Sequence, residues 1–173
     1  MTMTSRVRKL ALLAHVTSSI GWLGAVAGFL ALAVAGVAGR DASMMRAAYL
    51  AMDLTYWYVI MPFGLASFLT GLISSLGTEW GLFRHYWVLV KLLTTIALTV
   101  LLLVHTQPVS AMAGAAVLAN WSAADLDGLR IQLVADAIAA LLALLVATTL
   151  SVYRPRGMTP AIRARDVADA RTN

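Results

Sequence analysis

The sequence predicts an all-α integral membrane protein, an antiparallel four-helix bundle. Three observations carry that prediction. Hydrophobic residues make up 61% of the 173 positions and charged residues only 12%, whereas soluble domains carry about a quarter charged. Apolar runs of the roughly 20 residues that a bilayer crossing requires recur four times. Basic residues gather at the ends: Arg6, Arg8 and Lys9 before the first run, and Arg154, Arg156, Arg163, Arg165 and Arg171 after the last. This composition excludes a soluble enzyme, a disordered chain and a nucleic-acid-binding domain, despite the net charge of +5. The absence of cysteine excludes disulfides, thiolate metal sites and a cysteine nucleophile.

The first span covers roughly residues 10–38. It is too long for the apolar core of a signal peptide, so it is expected to be retained. Gly24 and Gly28 form a GxxxG, read as close packing within the bundle, with a dimerisation face as the alternative. Asp41 or Ser43 can cap the next helix, whose span covers roughly residues 49–75 with an interruption at Pro62. Tyr56, Trp57 and Tyr58 read as an interfacial aromatic belt. A turn at 77–81 leads to a third span over roughly 86–106, closed by Pro108. Residues 108–124 read as a short interfacial helix. The fourth span covers roughly 129–153, and 155–173 is a polar tail. One four-span domain thus occupies residues 1–154.

With both termini inside, nine basic residues face the cytoplasm (Arg6, Arg8, Lys9, Arg84 and the five tail arginines) and three face outward: Arg40, Arg46 and Arg130. Positive charge is retained on the cytoplasmic side, so both termini are expected there, in a plasma (inner) membrane.

Ionisable groups inside a span cost several kcal/mol and usually face the bundle interior. His15, Lys91, His105 and Asp136 are such groups. Asp53 lies near the outer boundary and His85 near the inner one. His15 shares a helix face with Ser18, Ser19 and Trp22, at i+3, i+4 and i+7. Lys91 enters the third span at about the depth of His15. It lies roughly 21 Å along the axis from His105, on nearly the same face. Asp136 requires a partner or a raised pKa, and His105, Gln107 and Asp53 are candidates by depth. For each of these groups, interhelical glue or snorkelling is the structural alternative to a functional role. No hydrolase, kinase or dinucleotide motif is present. A His–Lys or bis-histidine arrangement between the parallel first and third spans would hold haem b.

The stretch His15-Val16-Thr17-Ser18-Ser19-Ile20-Gly21-Trp22-Leu23-Gly24 resembles the opening span of HemJ-type protoporphyrinogen oxidases and of copper-resistance-D-type membrane proteins. Trp87-Val88-Leu89-Val90-Lys91-Leu92, followed by His105, resembles the HemJ third span. Most of residues 7–154 is similar to small four-span bacterial membrane proteins of unknown function. The resemblance implies a haem role for His15, with Trp22, Ser18 and Ser19 shaping the pocket and Lys91 lining it. His105 would serve a second haem. Phe29-Leu30-Ala31-Leu32-Ala33-Val34 is uncharged where HemJ-type proteins are basic and aromatic, which points to haem binding rather than porphyrinogen oxidation.

The leading expectation is therefore a b-type haem membrane protein in electron transfer or haem-linked redox chemistry, with a redox protein or quinone as partner. One alternative is copper binding or uptake, through His105 and the methionines Met44, Met45, Met52, Met61 and Met112. The other is a cofactor-free scaffold or accessory subunit, in the lipid bilayer and as a homo-oligomer.

Overall fold

The computed structural model describes residues 4–39, 41–76, 86–118 and 126–153, without the side chains of 75, 76, 86–89 and 91. The turn at 77–81, Arg84, His85, the Lys91 side chain and the 155–173 tail lie outside the described residues.

Four helical segments are long and apolar enough to cross a membrane, and they form an all-α four-helix bundle. The first helix, α1, is Ser5–Ala38. The second segment is built from α2 (Ala42–Thr55), a π-helical turn (Tyr56–Ile60) and α3 (Met61–Leu76). The third comprises α4 (Tyr86–Val104) and α5 (Thr106–Leu118), and the fourth is α6 (Leu126–Tyr153). Asp41 caps α2 by accepting from the Ser43 backbone N–H at 3.3 Å and from the Ser43 hydroxyl. Those two bonds, the hydroxyl first, hold its carboxyl below the ordinary carboxylate range.

Pro62 and Pro108 each leave a visible mark. Pro62 has no N–H, and its ring cannot accommodate the carbonyl one turn earlier. The backbone answers by widening just before it: Met61 N–H reaches back to Tyr56 O, the longer repeat of a π-turn. Pro108 acts differently from expectation. It does not end the third segment, because His105 alone is non-helical and α5 resumes at Thr106. The bond from Val109 N to His105 O, at 3.3 Å, carries the ladder past the proline. α5 is part of the bundle: it buries Val109, Met112, Ala113 and Ala116 and packs chiefly on α2.

The second segment runs antiparallel to α1 along its whole length. A Cβ added at Gly36 would meet the Tyr49 ring, and one at Gly71 would stand 3.0 Å from His15 Cε1. Partner numbers therefore fall as α1 numbers rise. Gly24 and Gly28 correct the packing expectation, because a Cβ at either has nothing within 4 Å. The GxxxG faces outward. The core runs down the bundle through Trp22, Val26, Phe29, Tyr56, Ile60, Leu102, Val109 and Leu133. The aromatic belt is corrected too. Tyr56 is buried in that core while Trp57 and Tyr58 are exposed.

Candidate functional site

Two polar regions interrupt this apolar bundle, one on each side of its middle. The first lies toward the chain termini, between α1 and α3. His15 Nδ1 is 3.1 Å from the Ser67 carbonyl and 3.3 Å from Thr70 Oγ1. A carbonyl only accepts, so Nδ1 carries the hydrogen and Nε2 is the basic nitrogen of the neutral ring. The Ser18 hydroxyl donates to His15 O at 3.1 Å. Ser19 Oγ and Ser67 Oγ share a hydrogen at 2.8 Å. Ser18 and Ser67 are buried. The close approach of α3 at Gly71 makes this region a hydroxyl-rich seam between two helices.

The second region lies on the distal side, away from the termini, at the break between α4 and α5. There His105 Nδ1 donates to the Leu101 carbonyl at 2.8 Å, and Nε2 bonds the Asp136 carboxyl of α6. The pair is largely withdrawn from solvent, with the His105 side chain 12% exposed and that of Asp136 29%. Neighbouring carbonyls along the break are also served by side chains. The Tyr56 hydroxyl, from the π-turn, donates to Leu102 O, and Thr106 Oγ1 donates to Leu103 O at 3.0 Å. This follows from the surroundings: with no water in hydrocarbon, broken backbone must be satisfied by protein.

A half-open cavity of about 60 Å³ adjoins the pair. Trp22 and Phe29 of α1, Tyr56 of the π-turn, and Leu101, Leu102 and Leu133 are among its walls, with His105 and Asp136 at its edge. By this measure a water requires about 10–15 Å³, so the space matches a few waters. Among the described residues, Tyr56 is the only other titratable side chain on the wall.

The chemistry of the pair follows from its bonds. With Nδ1–H fixed on Leu101 O, one further proton is shared between Nε2 and the carboxyl. The pair is either imidazolium with carboxylate or imidazole with carboxylic acid, and both forms are neutral overall. Neutrality is what an apolar bundle tolerates. The shared proton can pass to a carbonyl oxygen, and the deprotonated pair can take one from a hydroxyl.

The expected groupings are thus partly rearranged. Asp136 meets His105, one of the three partners its depth allowed. Gln107 is exposed, and Asp53 is half-buried with an Oδ1 that has no hydrogen-bond partner among the described residues. Trp22 faces the His105 cavity rather than forming a pocket with His15. Both ring nitrogens of His105 are engaged, so this arrangement offers no His105 lone pair to iron. Among the described residues, no three His, Cys, Asp or Glu side chains converge as a metal site. Met52 and Met112 are buried in the core. Sequence reasoning missed Tyr56, Ser67 and Thr70. The available signal was a tyrosine six residues before a proline, since a buried tyrosine hydroxyl needs an acceptor.

Comparison with protein-family models, with curated proteins and with solved structures finds no match for this chain. The site is therefore interpreted from its own geometry.

Proposed function

We propose that this chain is a membrane redox-linked protein that receives a lipophilic quinone-class molecule at the cavity, where His105–Asp136 exchanges a proton with the ligand's ring oxygen. One observation carries the reading: a proton-sharing imidazole–carboxyl pair lines a half-open cavity whose walls are otherwise mainly apolar and aromatic. Ligand sites commonly combine mostly apolar walls with a few placed polar groups. Because the cavity is half-open, part of a quinone can remain outside it. The test uses a short-chain quinone titrated into the reconstituted protein while tryptophan emission is followed. Saturable quenching is expected, lost in Trp22→Phe and shifted about tenfold to weaker affinity in Asp136→Ala, or about 1.4 kcal/mol. Linear quenching that is identical in all three would sink the reading.

A second reading keeps haem b at His15. It is supported by the Ser67 carbonyl on Nδ1, since a metal-bound histidine usually donates its other ring N–H to such an acceptor. A macrocycle there requires α3 to move off the His15 ring. Haem-supplied wild type should then show a Soret band that His15→Ala lacks, and a colourless wild type would exclude it.

The excess of basic residues on one side supports both termini in the cytoplasm. Cysteines at positions 2 and 170 should escape an impermeant thiol reagent in intact cells, while one at Leu118, an exposed position, should label.

A further inference from the structure

The two helix irregularities lie side by side. The π-turn interrupts the second segment at Tyr56–Ile60, and the third segment is interrupted at His105, between α4 and α5. The Tyr56 hydroxyl bonds Leu102 O, so both defects lie at one level of the bundle. The packing pattern changes at that level. On one side α4 packs against α3 and α6, while on the other α5 packs chiefly against α2. The cavity lies at this level too, with walls drawn from both sides: Ile60, Leu98 and Leu102 from one, His105 and Val109 from the other. Kinks of this type are where helices bend, and π-turns recur at functional sites.

Among the described residues, α5 is held chiefly by apolar packing on α2, through Val109, Met112, Ala113 and Ala116, with His105 as the polar tie at the break. Leu101 O accepts both the His105 backbone N–H at 3.0 Å and the His105 ring, so the imidazole is tied to the end of α4. Its other nitrogen is tied to α6 through Asp136. That contact fixes the residue where the chain leaves α4 and enters α5.

We propose that the His105–Asp136 contact is a proton-controlled latch, and that its release lets α5 swing about His105 and widens the half-open cavity. The latch concerns the same pair as the proposed ligand site, but it operates without ligand. It closes when the pair holds one shared proton. A second proton leaves imidazolium donating to the carbonyl oxygen of a neutral carboxylic acid, so the bond loses its opposite charge and weakens. Loss of the shared proton leaves two lone pairs facing each other and removes the bond. The other titratable or charged groups near this level are Tyr56 on the π-turn, Tyr49 and Asp53 on α2, and Asp127 and Arg130 toward the start of α6, themselves joined at 3.3 Å. The described parts of α3 and α5 carry no acidic or basic residue, α4 carries only Lys91, fourteen positions before His105, and those of α1 lie toward its start.

Because the chain contains no cysteine, spin labels can be placed without background. Gly114 on α5 has open space around it, and Leu69 on α3 is exposed. Cysteines at these two positions, labelled in nanodiscs, report α5 against α3 by pulsed electron–electron distance measurement. Gly114 lies nine residues beyond His105, about 13 Å along the helix, so a swing of about 15° carries it by roughly 3 Å.

Wild type should give one narrow distribution at intermediate pH and a distribution longer by a few ångströms, or broader, when pH is moved far enough to add a second proton or remove the shared one. Asp136→Ala should show the open distribution at every pH. Asp136→Asn should lose the pH dependence. Circular dichroism on each variant distinguishes opening from unfolding. One unchanged wild-type distribution from pH 4 to pH 10 would overturn the latch, even if Asp136→Ala proved unstable. Failure of the quinone titration with a pH-dependent distance would remove the ligand reading and leave the latch standing.

Discussion

The two intramembrane histidines begin alike and end differently. His15 and His105 each donate from Nδ1 to a backbone carbonyl, which fixes the ring and its tautomer. His15 donates across to another helix, among hydroxyls, where α1 and α3 are both regular. His105 donates within its own segment, at a break, and turns its second nitrogen to a carboxyl beside a cavity. Hydroxyls around an imidazole stitch helices together and leave charge unchanged. A carboxyl around an imidazole shares a proton that can be moved. Residue type alone marks both positions as costly. The neighbour's chemistry and the regularity of the helix separate glue from a reactive site.

The largest expected effect tests that separation. Asp136→Ala strands a buried imidazole and removes a charge-assisted bond, at about 2–3 kcal/mol. Thr70→Val at the His15 seam removes one interhelical hydroxyl contact, at about 0.6 kcal/mol, the average for such bonds in membranes. Thermal denaturation in detergent should therefore rank Asp136→Ala well below Thr70→Val. Equal or reversed losses would mean that the distal pair is also ordinary glue. A double-mutant cycle with His105→Gln should recover most of the Asp136 cost as coupling.

The fold class was legible because a membrane span is a statement about length and composition, and the four apolar runs state it. The partner of Asp136 was legible as a shortlist by depth, because helical rise converts sequence number into height. Which faces meet was not legible. Leu10, Leu13, Val16 and Ile20 are exposed while Trp22, Val26 and Phe29 are buried, yet both sets are apolar. Lipid is as apolar as leucine, so the inward stripe of α1 has no compositional signature. Hence Trp22 was grouped with His15, its neighbour on the helix, rather than with His105. The prolines were read as a stop and an interruption. Their local remedies are a π-turn and a one-residue break, and the carbonyls at that break are met by His105 from its own segment and by Tyr56 from the neighbouring one, a pairing that only packing brings about.

A smaller effect sharpens the role of the break itself. Tyr56→Phe keeps the ring packed on Phe29, centroids 6.4 Å apart, and deletes only the hydroxyl on Leu102 O. The loss should be about 1 kcal/mol. Ser19→Ala, which unpairs Ser67 Oγ at the other seam, should cost less, since Ser67 can turn to a backbone carbonyl of its own helix. If Tyr56→Phe is neutral, the break does not depend on the π-turn, and the two irregularities are independent features.

The smallest effect falls outside the bundle, at the start of α2. Asp41 is a solvent-exposed cap whose carboxyl is held below the ordinary range by the Ser43 hydroxyl and then the Ser43 N–H. A folded-state pKa below the unfolded one means that the unfolded chain binds the proton more readily. The cap's contribution is therefore fully present above the unfolded pKa and is lost as pH falls through the folded one. Asp41→Ala should lower the melting temperature slightly at neutral pH and leave it unchanged from wild type once the pH lies below the carboxylate range. Asp136→Ala should differ from wild type in how α5 is held, because its carboxyl bonds another helix rather than its own first turn. A cap variant that moved the α5 distance distribution would show that α2 and α5 shift as one body, and that the hinge extends to the end of the bundle.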